Sequence, residues 1–215
     1  MTSRNGRTMS RMINRERTVR DIFLLGASAG GIQALTGILK RLPATLPATV
    51  GIVLHRSPTF ESELGWLLGR FSPLPVGEPA DGDPIKQGQV YVAPRDVHMS
   101  IQDDRWRLHR GAKVHFSRPA VDPLFMSAAS NRGRRAVGVL LSGGGSDGVL
   151  GLLAIKAAGG LSIAQQPSEA QAPSMPRHAI SEDHVDAVLR LDQIASLISA
   201  LAIGEIFMNG AERSS

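Results

Sequence analysis

The 215-residue sequence contains no cysteine. That excludes disulfides, thiolate metal sites and a cysteine nucleophile, and it is compatible with a reducing cytoplasm. No apolar run approaches the roughly 20 residues that a membrane-spanning helix needs, and the N-terminus lacks the apolar stretch of a secretory signal. Membrane insertion is not expected; a cytoplasmic location is. Acidic residues are missing between Asp21 and Glu61, and tyrosine occurs once, at Tyr91. Both gaps bear on nucleotide chemistry below.

An acidic balance is also missing from one end of the chain. Residues 1–20 hold six arginines against Glu16 alone, a net of +5, which equals the formal net charge of the whole sequence. The remainder, with 18 basic and 18 acidic residues, is neutral. The excess therefore belongs to a polar arm expected to be disordered, not to the folded body. A nucleic-acid-binding domain is not expected. The organisation read from the sequence is an arm over 1–20, one catalytic-type domain over 21–203 and a frayed tail over 204–215, a length suited to a single α/β core.

What is present is an alternation of short β-rich runs and helix-like segments, which predicts a doubly wound, mostly parallel sheet flanked by helices. Residues 21–25 (DIFLL), 49–54 (TVGIVL) and 136–141 (AVGVLL) read as buried strands. Helices are expected over 32–42, 60–70, 121–131, 147–158, near 175–181 and over 192–202. Shorter strands are expected at 161–164 and 185–189. Between residues 75 and 108 Pro/Gly turns and short alternating runs predict β-hairpins inserted into the α/β frame.

In an open parallel sheet, ligands gather beyond the carboxyl ends of the strands. Three reactive side chains fall there: Ser28 after the first strand, His55 after the second and Asp147 after the strand over 136–141. They make up the inventory of a nucleophile, its general base and the base's orienter. A serine hydroxyl is protonated at neutral pH and needs a neighbour to take its proton; an imidazole can accept that proton and return it. Glycines at 26, 30 and 31 allow a sharp turn beside Ser28, and Gly143, Gly144 and Gly145 offer unencumbered amides next to Asp147 for a tetrahedral oxyanion. Each residue also has a plainer reading. Ser28 and Asp147 are good helix N-caps, and a histidine at a strand end can be structural.

The same turn, GASAGG over residues 26–31, supports a rival. It follows a strand and opens a helix as a dinucleotide-binding G-x-G-x-x-G loop does. Ser28 replaces the glycine that lets a pyrophosphate approach, and no acid ends the second strand, although Arg56 suits an NADP 2′-phosphate. A Tyr-x-x-x-Lys pair is missing, since Arg95 lies four residues after Tyr91. An NADP-dependent reductase and a non-catalytic receptor-binding module stand as the alternatives to a hydrolase.

The segment GASAGGIQAL resembles the nucleophile segment of chemotaxis protein-glutamate methylesterases, the CheB catalytic domain. The likeness continues in order through VLHRSP, DGDPIKQGQVYVAPRDVHM, RPAVDPLFMSAA, GVLLSGGGSDGVLGLLAIKAAGG and AQQPSEAQAPSMPRHAI, covering residues 21–202. This resemblance implies a Ser28, His55, Asp147 triad in that chain order, with Gly144 and Ala29 supplying backbone amides to the oxyanion. It implies hydrolysis of glutamate γ-methyl esters on methylated chemoreceptor cytoplasmic domains through an acyl-enzyme, releasing methanol, together with glutamine deamidation. It implies no metal or organic cofactor. Ala29 stands where many members have Thr, and Gly144 where Met is common. The usual N-terminal receiver domain has no counterpart in the 20 residues before the first strand; if the chain is complete, the expectations are a constitutively open enzyme, an unidentified regulatory partner in place of the receiver, or a chemosensory-like pathway unrelated to swimming, and otherwise an excised domain. Arg118 and Met175 are further candidates for the substrate cleft.

Overall fold

The structure, a computed structural model, describes residues 18–56 and 63–205. Much of the expected arm and most of the expected tail therefore lie outside the described residues. The last residues of the arm are packed: the Arg20 amide donates to Leu201 O at 3.2 Å, and its guanidinium donates to Arg134 O.

Seven strands form one sheet in the order β3-β4-β2-β1-β7-β8-β9, every pair parallel. They are β1 (Ile22–Ala27), β2 (Thr49–Leu54), β3 (Val76–Gly77), β4 (Gln89–Val92), β7 (Ala136–Leu140), β8 (Leu161–Gln165) and β9 (Ala187–Leu189). Two further strands, β5 (His98–Gln102) and β6 (Arg105–His109), form an antiparallel hairpin. The helices are α1 (Gly31–Leu39), α2 (Leu64–Gly69), α3 (Val121–Arg132), α4 (Val149–Ala157), α5 (Ser174–His178) and α6 (Leu191–Ala202). The helix expected to begin at Phe60 is described from Leu64, its expected start falling within residues 57–62.

The central strands are buried on both faces, and side-chain alternation assigns them to two cores. Phe23, Leu25 and Ala27 of β1 join Val50, Ile52, Val137 and Val139 under α1, α2 and α6. Ile22 and Leu24 point the other way, toward α3, α4 and the hairpin. Helices α1 and α6 are amphipathic, with Leu35, Ile38, Ile194 and Ile198 on their buried stripes. On the opposite face Trp106 of the hairpin is fully buried, its ring 5.0 Å from that of Tyr91. Burying an indole of roughly 200 Å² is worth about 5 kcal/mol of transfer free energy, offset by about 1–3 kcal/mol for its N–H, which has no hydrogen-bond partner among the described residues.

The region over 75–108 thus contains one hairpin and not several. Gln89–Val92 and Val76–Gly77 join the main sheet in parallel, extending it beyond β2. Pairing of a short run with a strand forty residues earlier is decided by tertiary packing, and alternation alone does not reveal it.

Candidate active site

The register of the sheet brings the reactive residues together. Ala27 pairs with Leu54 across β1 and β2, so Ser28 and His55 are the next residues of neighbouring strands. The His55 amide donates to Ala27 O at 3.0 Å. Strand β7 flanks β1 on the other side, and its glycine loop carries Asp147 back over the strand ends. Adjacent strands lie about 4.8 Å apart, which places all three side chains in one layer.

His55 Nε2 lies 2.6 Å from Asp147 Oδ2. The His55 side chain is 14% exposed and that of Asp147 only 2%, so the pair sits at the floor of the site with the imidazole toward the opening. Asp147 also accepts the Val121 amide at 2.7 Å on Oδ2 and the Asp122 amide at 3.0 Å on Oδ1. Burial by itself raises the Asp147 carboxyl, but the bonds from His55, Val121 and Asp122 outweigh it and hold the group below the ordinary carboxylate range. An ionised Asp147 takes a proton-bearing Nε2, which leaves the lone pair of His55 on Nδ1.

The turn after β1 is clamped by Ser142. The Ser28 amide donates to Ser142 O at 2.9 Å, and the Ser142 hydroxyl donates to Ala29 O at 2.8 Å while accepting the Ala172 amide at 2.9 Å. The Ser142 amide is in turn held by Gln165 Oε1. Gly30 adopts φ 73°, and a Cβ there would come within 2.7 Å of Ser142 Oγ and Gln171 Cβ, so the turn requires glycine twice over. Helix α1 starts after Gly30 with no side-chain cap. Ser28 therefore does not cap it, and among the described residues its hydroxyl makes no hydrogen bond, to His55 included. Asp147 does act as a helix cap, but of α3, far from it in sequence; α4, which follows it, has Gly148 at its N-cap and no side-chain bond there.

The Ala29 and Gly144 amides, the expected oxyanion donors, have no hydrogen-bond acceptor among the described residues. A Cβ on Gly144 would meet nothing within 4 Å. Met175 is fully buried beneath this loop: a Cβ on Gly143 would lie 2.9 Å from its sulfur and 3.0 Å from Ser28 Cβ. The Arg118 guanidinium donates to Asp96 Oδ1 and to Gly111 O; like Met175 and Asp147, Arg118 is not among the described residues that line the cavity beside the site. That cavity, of about 950 Å³, opens beside Ser28 and His55 and is walled by Ile32, Thr36, Trp66 and Gln171.

One donor set has a spacing that suits a metal. Ligand atoms of His115, Asp122 and Asp147 lie within 4.8 Å of one another. Asp147, however, already faces three N–H groups, and Asp122 accepts the Gly151 amide at 2.7 Å. The set is an N–H-satisfied carboxylate pair. Arg56 is equally committed, to Glu78 and Ala93 O with 8% of its side chain exposed, which disfavours the 2′-phosphate role required by the reductase alternative. Ser142, Gln165 and Asp122 were not singled out from sequence. The signal for Ser142 was its place at the head of the glycine loop, whereas that of Asp122 exists only in three dimensions.

A model of the CheB methylesterase family matches residues 23–198. The chain is 39% identical over 181 residues to protein-glutamate methylesterase/protein-glutamine glutaminase 2 of Anaeromyxobacter dehalogenans, covering 84% of this chain and 53% of that protein. It is 38% identical over 182 residues to a putative protein-glutamate methylesterase/protein-glutamine glutaminase of Leptospira interrogans, covering 84% of this chain and 94% of that protein. The chain thus spans about half of some curated relatives and nearly all of another. The Thermotoga maritima CheB methylesterase catalytic domain superposes with a TM-score of 0.81 at 33% identity, over 86% of this chain and 100% of that one.

Proposed function

Because the chain belongs to the CheB methylesterase family, we propose that it hydrolyses glutamate γ-methyl esters on methylated chemoreceptor cytoplasmic domains, with Ser28 as nucleophile, His55 as general base and Asp147 as its orienter. The observation that carries this reading is the 2.6 Å His55–Asp147 bond at the strand end beside Ser28. With Nε2 committed to Asp147, His55 Nδ1 is the nitrogen left to accept the Ser28 proton as Oγ attacks the ester carbonyl. In this reading the amides of Ala29 and Gly144, which have no acceptor among the described residues, receive the developing oxyanion, where a single donor is worth about 3 kcal/mol in related chemistry. Protonated His55 then delivers its proton to the departing methoxy group, methanol leaves, and a γ-glutamyl ester of Ser28 remains. A water molecule, deprotonated by His55, hydrolyses that ester to glutamate. The same steps on a glutamine side chain release ammonia. The Ser28 hydroxyl forms its bond to His55 with substrate in place, since catalytic hydrogen bonds tighten in the Michaelis complex.

The cavity walled by Ile32 and Trp66 is the substrate groove in this reading, and Met175 supports its floor. Among the described residues no helix is long and apolar enough to cross a membrane. The test is methanol release from a methylated receptor cytoplasmic domain. Release by the wild-type chain and none by Ser28→Ala is expected; undiminished release by Ser28→Ala overturns the mechanism.

A further inference from the structure

Two helix starts meet behind His55, and each is capped by a carboxylate from the other. Asp147, in the loop before α4, accepts the Val121 and Asp122 amides of the first turn of α3. Asp122, in that turn of α3, accepts the Gly151 amide in the first turn of α4 at 2.7 Å. First-turn amides have no partner within their own helix, and neither α3 nor α4 has a capping side chain at its own N-cap residue, Ala120 or Gly148. The approach is close. A Cβ on Gly151 would lie 2.3 Å from Phe125 Cβ and 3.2 Å from Asp122 Oδ1, so only glycine allows the two turns to come together. The remaining oxygen of Asp122 faces His115 Nε2 at 3.2 Å, and Asp122 is 3% exposed.

We propose that Asp122 is a positioning residue for the Asp147–His55 pair: by holding the Gly151 amide it locks the start of α4 to the start of α3 and so fixes the carboxylate that orients His55. Asp147 sits four residues before Gly151, at the end of a loop whose Gly144 and Gly145 are exposed. Without the Asp122–Gly151 bond, the hydrogen bonds that tie the two helix starts together are those of Asp147 alone, beside the packing of Val121 on Gly148 and of Phe125 on Gly151. A carboxylate that must both hold a helix and aim an imidazole then has slack in both tasks. Burial and the neighbouring Asp147 raise the Asp122 carboxyl, against the pull of the Gly151 amide and His115. These are the charged or hydrogen-bonding groups acting on it, and position, not charge, is the part the geometry supports.

The proposal rests on the functional reading above for its kinetic arm and is independent of it for its spectroscopic arm. The proton on His55 Nε2, shared with Asp147 at 2.6 Å, is observable far downfield in the proton NMR spectrum of the whole chain without substrate, and Asp147→Asn identifies it. Asp122→Ala is expected to lose or displace that resonance and to lower kcat for methanol release by about 10–100-fold with KM changed less than about 2-fold. Asp122→Asn, whose carbonyl oxygen occupies the same place, should restore both. An unmoved resonance and wild-type kcat in Asp122→Ala, or equal damage in Ala and Asn variants, would overturn the proposal. If Asp122→Ala does not fold, the comparison of Asp122→Asn with Asp122→Glu decides. Asn must keep the resonance, and Glu, which keeps the charge but displaces the oxygen, must move it; the reverse result refutes a positioning role. A wild-type chain that releases no methanol fails the functional reading and leaves the NMR comparison intact.

Discussion

The two faces of the parallel sheet are covered by different kinds of structure. Under α1, α2 and α6 the core is built of Leu, Ile, Val, Ala and Phe, with no ionisable side chain among its buried members. Under α3, α4 and the hairpin the core is comparably apolar, yet the buried ionisable groups His98, Asp122, Asp147 and Asp183 gather on or beside that side. The first face needs only complementary shape, because its helices present one amphipathic stripe each to the sheet. The second must also accommodate carboxylates in low dielectric: first-turn amides of α3 and α4 satisfy Asp147 and Asp122, while the carboxyl oxygens of Asp183 have no hydrogen-bond partner among the described residues. One face therefore supplies stability in a form that tolerates volume-conserving change, while the other carries buried charged groups held by hydrogen bonds between elements. Damage to the two faces should separate into loss of folding and loss of chemistry.

The largest separation is expected at Ser28. Ser28→Ala should lower methanol release by on the order of 10⁴-fold or more while leaving the thermal midpoint unchanged, because the hydroxyl supports no other group. A matching loss of stability would show that Ser28 is part of the framework. Asp147→Asn should lower kcat by about 10³–10⁴-fold, and it should also act on folding. The folded carboxyl lies below its ordinary value, so its contribution is complete above about pH 4 and disappears as pH falls through the lower folded value. Urea denaturation of the Asn variant should therefore show reduced stability at pH 7 and a flatter decline in acid. An unchanged acid profile would mean that the hydrogen bonds of Asp147 add nothing to folding.

On the apolar face, Ile198→Ala in α6 should cost about 2–5 kcal/mol of unfolding free energy with kcat per folded molecule unchanged. A fall in kcat at temperatures where the variant is fully folded would join the two faces into one unit. The smallest effect is expected at Asp183, where burial pushes the carboxyl up against the opposing pull of Ser162 and Lys156. A carboxyl raised on folding makes folding less favourable as pH climbs above about 4. Asp183→Asn should then stabilise the chain by about 1 kcal/mol at pH 7 and by less near pH 4. An equal gain at both values would assign it to packing.

Much of the architecture was legible in the sequence because the central strands are local, continuous apolar runs. The expected strands over 21–25, 49–54 and 136–141 fall on β1, β2 and β7 within two residues. The edge of the sheet was not legible in the same way. QVYV over 89–92 alternates like one arm of a hairpin, and its parallel partner β2 lies forty residues earlier. For the site, three strand-end positions were enough to select Ser28, His55 and Asp147 as candidates. Their alternative roles as caps needed coordinates to resolve: Ser28 caps nothing, and Asp147 caps a helix that precedes it by 26 residues. Arg118 was a cleft candidate by chemistry, and its ion pair with Asp96, 22 residues away, exists only in the fold.

The sequence by itself determined which strands are buried, the glycine turns at their ends and the residue types of the candidate site, because each depends on neighbours within a few positions. Only the tertiary structure decided how those residues are held. The Ser142 clamp, the Asp147 bond to His55 and the mutual capping by Asp122 and Asp147 join segments 25 to 113 residues apart. Donors and acceptors so distant meet only where the sheet register and the α3–α4 packing bring orphan amides and buried carboxylates together.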